Sequence, residues 1–184
     1  MLYEEYLNNL EKIRDRYEGN RRALLNTGHS FSLLIVRSLI LINSGALFIF
    51  PAFIPNLLGK NSSLPTLPEF MVPAILFAIG LISAFLCALF SYFNYQKNAA
   101  LEEYKLVHEE YYLWLRHGQD NKALPQEYVD IREQKLLEAD VSINNLSPKI
   151  SKFYRLGHAT GWLSLIMFIV GCVFFGSIIL EVQQ

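Results

Sequence analysis

Charge is missing from long stretches of this chain. Only 18% of its 184 residues are Asp, Glu, Lys or Arg, against 52% hydrophobic. The apolar excess, a mean hydropathy of +0.24, is gathered into three blocks, which argues against a soluble core spread along the sequence. Cysteine is nearly absent. Cys87 and Cys172 sit in separate apolar runs without a second ligand nearby, which excludes a disulfide framework and makes them small buried hydrophobes. A net charge of −1 supplies no global basic field, so direct nucleic-acid binding is not expected. There is no Gly-rich phosphate loop, no G-x-S-x-G and no H-E-x-x-H. Strand-like alternation, internal repeats and low-complexity tracts are also missing. The expectation is an all-α protein that is not an enzyme, with no catalytic residue, metal site or cofactor.

The three apolar blocks cover residues 31–54, 72–93 and 159–182. Each is long enough to cross a hydrocarbon core of roughly 30 Å at about 1.5 Å per residue. The expected organisation is an amphipathic helix over 1–30, a transmembrane hairpin over 31–93 with a Pro-rich outer loop at 56–70, a helical region over 94–158, and a third span. Basic residues set the direction. Lys12, Arg14, Arg16, Arg21 and Arg22 precede the first span, only Lys60 lies between the first two, and Lys97, Lys105, Arg116, Lys122, Arg132, Lys135, Lys149, Lys152 and Arg155 lie between the second and third. The positive-inside rule puts the N-terminus and 94–158 in the cytoplasm, and the 56–70 loop and C-terminal tail outside. The expected location is the inner (cytoplasmic) membrane, multi-pass. The N-terminus has no charged-then-apolar signal pattern, so insertion is expected to rely on the first span.

Within that first span, LLIVRSLILINSGALFIF carries Arg37, Asn43 and Ser44. Hydrocarbon cannot satisfy a guanidinium or a carboxamide, so each faces something other than lipid tails. Arg37 lies about six residues, roughly 9 Å, inside the cytoplasmic end of its helix. It either snorkels to the interface or faces a lumen or a carboxylate such as Glu102 or Glu103. Asn43 is too short to snorkel. It either hydrogen-bonds across helices or, with Ser44, lines a polar cavity.

Small residues mark packing faces. Gly80, Ala84 and Ala88 recur at four-residue spacing in the second span, continuing back through Ala74 and Ala78, and Gly157 and Gly161 form a G-x-x-x-G pair near Ser164. Two such stripes let one serve the internal bundle and leave the other for a neighbouring subunit. Heptad-like seams appear outside the spans at Tyr3, Tyr6, Leu10, Ile13, Tyr17 and Leu24, and at Ala100, Tyr104, Val107, Tyr111 and Trp114. Leu101, Leu106, Leu113 and Leu115 lie off the second seam, as expected for a helix packed between neighbours. Gly118 reads as its C-terminal stop, and Arg116–His117 as complements to the helix dipole. After the loop GQDNKALP, Pro125 opens a helix to about Val141, and Ser147–Pro148 caps a separate helix running into the third span.

The histidines His29, His108, His117 and His158 are weak candidates for chemistry. Arg22 and His29 fit the R-x6-H spacing of a class of helical nucleases, but a basic cluster at a membrane boundary reads as an interfacial anchor. His108, Glu109 and Glu110 lack metal-ligand spacing and read as a solvated face. Tyr104, Tyr111, Trp114 and Arg116 are residues of the kind that dominate binding hot spots. They read either as a bundle core or as a surface for a soluble cytoplasmic partner.

The segment VRSLILINSGALFIFPAF, followed by a second span that continues into a long cytoplasmic helix, resembles a recurring pattern in small bacterial membrane proteins. The layout is similar to the SLATT-type membrane effectors of antiviral (antiphage) defence. That resemblance covers the topology from roughly residue 30 to 117, and the third span departs from it. It implies a homo-oligomeric pore or channel that permeabilises the membrane when a cytoplasmic trigger acts. The competing expectation is a non-conducting membrane scaffold that binds a soluble partner through its cytoplasmic helices.

Overall fold

The computed structural model describes residues 3–58, 67–121 and 126–182 and is helical throughout them. The elements are α1 (Tyr3–Ala23), a π-helical turn (Leu24–Gly28), α2 (His29–Leu58), α3 (Leu67–Asn121) and α4 (Gln126–Val182). The expected outer loop is shorter than 56–70, since α2 runs to Leu58 and α3 begins at Leu67. Its centre, residues 59–66, lies outside the described residues, as do Pro125 and the last two residues of the tail.

Two expected helix boundaries are overturned. α3 continues through Gly118 to Asn121, so Arg116 and His117 are interior residues and not last-turn complements to the dipole. α4 is one helix of 57 residues with Pro148 inside it. Ser147 does not act as an N-cap: its hydroxyl donates to the Ile143 carbonyl at 3.0 Å, back along the same helix. Proline denies a hydrogen bond only to the carbonyl four residues earlier, here Asn144. Half-buried Ile143, Leu146, Ile150 and Phe153, on both sides of the proline, hold the helix past that one loss.

The chain divides into two compact units, Met1–Ser30 with Tyr92–Phe153, and Phe31–Ser91 with Tyr154–Gln184. The second is the apolar one. Two of its helices, α3 and α4, are long and apolar enough to cross a membrane, and α2 carries a shorter apolar described run, Ser32–Phe48. Its packed positions follow alternating steps of four and three. On α3 they are Pro73, Phe77, Gly80, Ala84 and Cys87, all buried. On α4 they are Gly157, Ser164, Gly171 and Ile178, buried at every seventh residue, with half-buried Gly161, Phe168 and Phe175 between them. Val36, Leu39 and Asn43 are buried on α2 among the described side chains. Such a spacing keeps one seam of each helix facing its neighbours over many turns. Glycines on the seam admit large partners: a Cβ at Gly171 would lie 2.8 Å from the Phe77 ring, and one at Gly161 would lie 3.3 Å from Cys87 Sγ.

The other unit is charged, and its helices carry half-buried seams. On α4 these are Val129, Arg132, Leu136, Ile143, Leu146, Ile150 and Phe153, with buried Ala139 completing the register. Leu101, Leu106, Leu113 and Leu115 of α3 are half-buried together with Val107, Tyr111 and Trp114, so α3 is covered on more than one side. The π-helical turn ends at Gly28, where a Cβ would overlap the ring of Tyr95. Only glycine lets that ring lie flat against the helix backbone.

Candidate functional site

Two groupings of side chains stand out, one in each unit. In the apolar unit the buried polar residues among those described are Asn43, Ser83 and Ser164. Asn43 is fully buried, and its Nδ2 donates to Ser164 Oγ at 3.1 Å and to the Leu39 carbonyl at 2.9 Å. Its Oδ1 has no hydrogen-bond partner among the described residues and lies against Gly80, where a Cβ would overlap it. Asn43 of α2, Gly80 of α3 and Ser164 of α4 therefore form one polar layer between three helices. The carboxamide fits because the facing residue has no side chain.

Three further hydroxyls of the apolar unit are satisfied on their own helices. Ser38 donates to Leu34 at 2.9 Å, Ser44 to Ile40 at 2.7 Å and Thr160 to Leu156 at 2.9 Å. Backbone bonding of this kind removes the cost of a hydroxyl in an apolar medium. Ser44 thus needs neither a lumen nor a second helix. Arg37 is exposed and makes no ion pair among the described residues, while Glu102 is held by Lys105 at 2.7 Å. Of the small residues expected at packing faces, Gly80 and Ala84 are buried on the α3 seam, whereas Ala88 is only half-buried and Cys87 takes the seam position. Gly157 and Gly161 meet α3 directly: a Cβ at Gly157 would lie 3.6 Å from Phe90 and Ser91.

The charged unit corrects the reading of His108, Glu109 and Glu110 as a solvated face. Arg14 pairs with Glu110, Arg16 pairs with Glu109, and the Tyr17 hydroxyl donates to Glu109 at 2.5 Å. His108 lies 3.2 Å from Asp140. These groups join α1 to one side of α3, and α4 to another. The hydrogen bond from Arg14 to Glu110, followed by the attraction of that carboxylate, raises the Arg14 pKa. Burial, followed by the bond to Glu109, pushes the Tyr17 phenol up from its ordinary value. No individual residue in the sequence signals this ladder. The signal available was that α1 has cations three residues and one residue before a seam tyrosine, and α3 two adjacent carboxylates between seam positions.

The expected partner surface is divided. Tyr111 and Trp114 are half-buried under Arg132, whose guanidinium lies 5.5 Å and 3.9 Å from the two ring centres. Tyr104 and Arg116 remain exposed, and His117 stacks on Tyr6 at 4.8 Å. Beside Tyr104, α3 and α4 leave a groove of about 740 Å³, lined by Val107, Tyr111, Leu137, Ala139 and Val141 and edged by the Lys135–Glu138 ion pair. Arg22, half of the R-x6-H spacing, donates to Glu18 at 3.1 Å. No grouping of three or more metal-ligating side chains occurs among the described residues. The polar groups of the site hold helices together, and its open groove is apolar with charged edges. Comparison with protein-family models, curated proteins and solved structures finds no match to this chain.

Proposed function

We propose that the chain is a three-span membrane protein that holds a helical cytoplasmic unit at the inner membrane for a soluble partner, and that it does not itself conduct. The carrying observation is the direction taken by the polar groups of the apolar unit. Asn43 and Ser164 bond to each other inside one chain, and the hydroxyls of Ser38, Ser44 and Thr160 bond back to their own helices. Among the described residues one buried side-chain polar atom is left without a partner, Asn43 Oδ1, and it lies against Gly80 inside the three-helix layer.

The outward faces support the membrane part of the reading. In the most apolar 18-residue windows of α3 and α4, only 33% and 17% of residues are buried. A core helix of a soluble protein is mostly buried, whereas Ile82, Phe85, Ile169 and Val173 are all exposed, and soluble monomers rarely show apolar patches of that size. The register also supports it. Asn43 and Ser164 share a level, so six residues nearer the cytoplasm Arg37 shares a level with His158. The Gly157 contact adds Phe90 and Ser91 to that level. Exposed Tyr92, Tyr154 and Trp162 surround it as an aromatic belt does at a headgroup layer. Arg37 then marks the boundary itself and is not 9 Å inside. The spans become about 38–58, 68–90 and 158–180, roughly 21 to 23 residues each, which matches a 30 Å core.

The test is purified protein in liposomes. The expected outcome is co-flotation with the vesicles and no dye or ion leakage, for wild type and Asn43→Leu alike. Leakage that Asn43→Leu abolishes would overturn the non-conducting reading. A second reading, an oligomeric pore, draws on Gly45 and Gly176, around whose Cβ positions none of the described residues lies within 4 Å. Both leave room for a neighbouring helix, and leakage in the same assay would favour it.

A further inference from the structure

The stretch of α4 that borders the groove reads QEYVDIREQKLLEADV and carries Glu127, Asp130, Glu133, Glu138 and Asp140 against two cations. Neither cation is free to offset the acids at the surface. Arg132 is drawn over Trp114 at 3.9 Å, and Lys135 is tied to Glu138 at 3.0 Å. The hydrogen bond from Lys135 to Glu138 and that carboxylate's charge hold the ammonium in its charged form. Between the carboxylates, Ile131, Leu137 and Val141 are 51%, 65% and 52% exposed. They lie outside the apolar spans, so no lipid covers them.

We propose that the groove and this strip of α4 receive a basic amphipathic helix of a soluble partner. The apolar face of that helix would enter against Val107, Leu137 and Val141, and its lysines or arginines would meet Glu127, Asp130 and Glu133. Charge selects this occupant. A second copy docking the same strip on its own would set like charges face to face, and an anionic lipid surface would be repelled by it. The groove follows α3 from Tyr104 to Tyr111 and α4 from Gln134 to Ser142, about two helical turns or roughly 10 Å. That is the length over which a docked helix presents residues at i, i+3 or i+4, and i+7. The proposal rests on the reading that this unit faces the soluble side of the membrane.

The probe is a fluorescently labelled synthetic helix with leucines on one face and lysines on the other, with a second peptide bearing glutamates in place of the lysines. Full-length protein in nanodiscs of zwitterionic lipid is titrated with each, and binding is read by anisotropy after subtracting empty discs. The lysine peptide is expected to bind with an affinity that falls as salt rises, and the glutamate peptide is expected not to bind. Leu137→Lys combined with Val141→Lys should weaken binding by roughly tenfold or more. Both residues are exposed, so a retained helical dichroism spectrum confirms the fold. No binding by the lysine peptide, equal binding of the two peptides, or binding indifferent to the double variant overturns the proposal. So does light scattering that shows self-association lost in that variant, which assigns the face to a second copy. Failure to float on liposomes would end the membrane reading and leave the peptide result standing.

Discussion

Gly80 and Asn43 are matched in size, and the match is testable. A methyl at position 80 overlaps Asn43 Oδ1, so Gly80→Ala forces the carboxamide off Ser164 or pushes α3 away. The expected cost is about 1 to 3 kcal/mol, the range for overpacked sites. Removing the carboxamide relieves the clash, so Gly80→Ala with Asn43→Ala should cost clearly less than the two single changes added together. Unfolding in mixed micelles measures all three, and strict additivity would show that the two residues do not compete for one space. The hydrogen bond is a smaller effect, about 0.6 kcal/mol on average between membrane helices, and Asn43→Ala crossed with Ser164→Ala should return a coupling near that value. Arg37 is exposed and unpaired among the described residues. Arg37→Lys should therefore leave expression and membrane insertion unchanged, whereas loss of insertion would require a bidentate partner that lysine cannot replace. That Asn43 must face protein was legible in the sequence, because hydrocarbon offers a carboxamide nothing. That Ser164 and Gly80 are its neighbours was not, because the register between three helices is a tertiary quantity. The same register moves Arg37 to the level of His158.

At the scale of elements, α4 runs through Pro148 where a sequence reading stops it. A Ser-Pro pair has the composition of a helix start, and only the packing of residues on both sides shows that the helix continues. Pro148→Ala restores the N–H facing the Asn144 carbonyl and should stabilise the charged unit by about 1 to 3 kcal/mol. Amide exchange in residues 144–152 should slow, and unchanged exchange would mean the proline costs this helix nothing. The heptad seams were readable because a 3.5-residue period needs no partner to be visible. The ladder of Arg14, Arg16 and Tyr17 on Glu109 and Glu110 was hidden, because charges off a seam look alike whether they meet water or another helix. Tyr17 gives the ladder a pH signature. Its raised pKa means that the neutral phenol is favoured in the folded chain, so the stabilisation is complete below the ordinary tyrosine value of 10.0 and is lost as pH rises through the folded value. Tyr17→Phe should flatten the alkaline fall in stability and remove the latest-titrating tyrosinate absorbance. An unchanged alkaline limb would detach Tyr17 from the ladder's stability.

For the whole molecule the open quantity is the number of crossings. α3 and α4 are each long and apolar enough to span, while the apolar described run of α2 is only Ser32–Phe48. Composition alone therefore leaves α2 undecided, and the packing argument is what adds it. Its Val36, Leu39 and Asn43 are buried against the same unit as the seams of α3 and α4. With Asn43 level with Ser164, a helix continuing to Leu58 ends level with the outer end of α4. A chain that crosses three times from a cytoplasmic N-terminus brings residue 62 and residue 183 to the outside and residue 133 to the inside. In a chain carrying Cys87→Ala and Cys172→Ala, an impermeant thiol reagent applied to intact cells should label Ser62→Cys and Gln183→Cys. Glu133→Cys should react only after the membrane is opened. Residues 62 and 183 share a side in either case, because α3 and α4 both lie between them, so the N-terminal side decides. Asn20→Cys should be shielded in intact cells as Glu133→Cys is, and its labelling together with residue 62 decides against α2 as a span. In that case Arg37 would no longer mark a boundary. It would lie on a helix resting on the membrane surface, and Asn43 would lose the apolar surroundings that make its bond to Ser164 necessary.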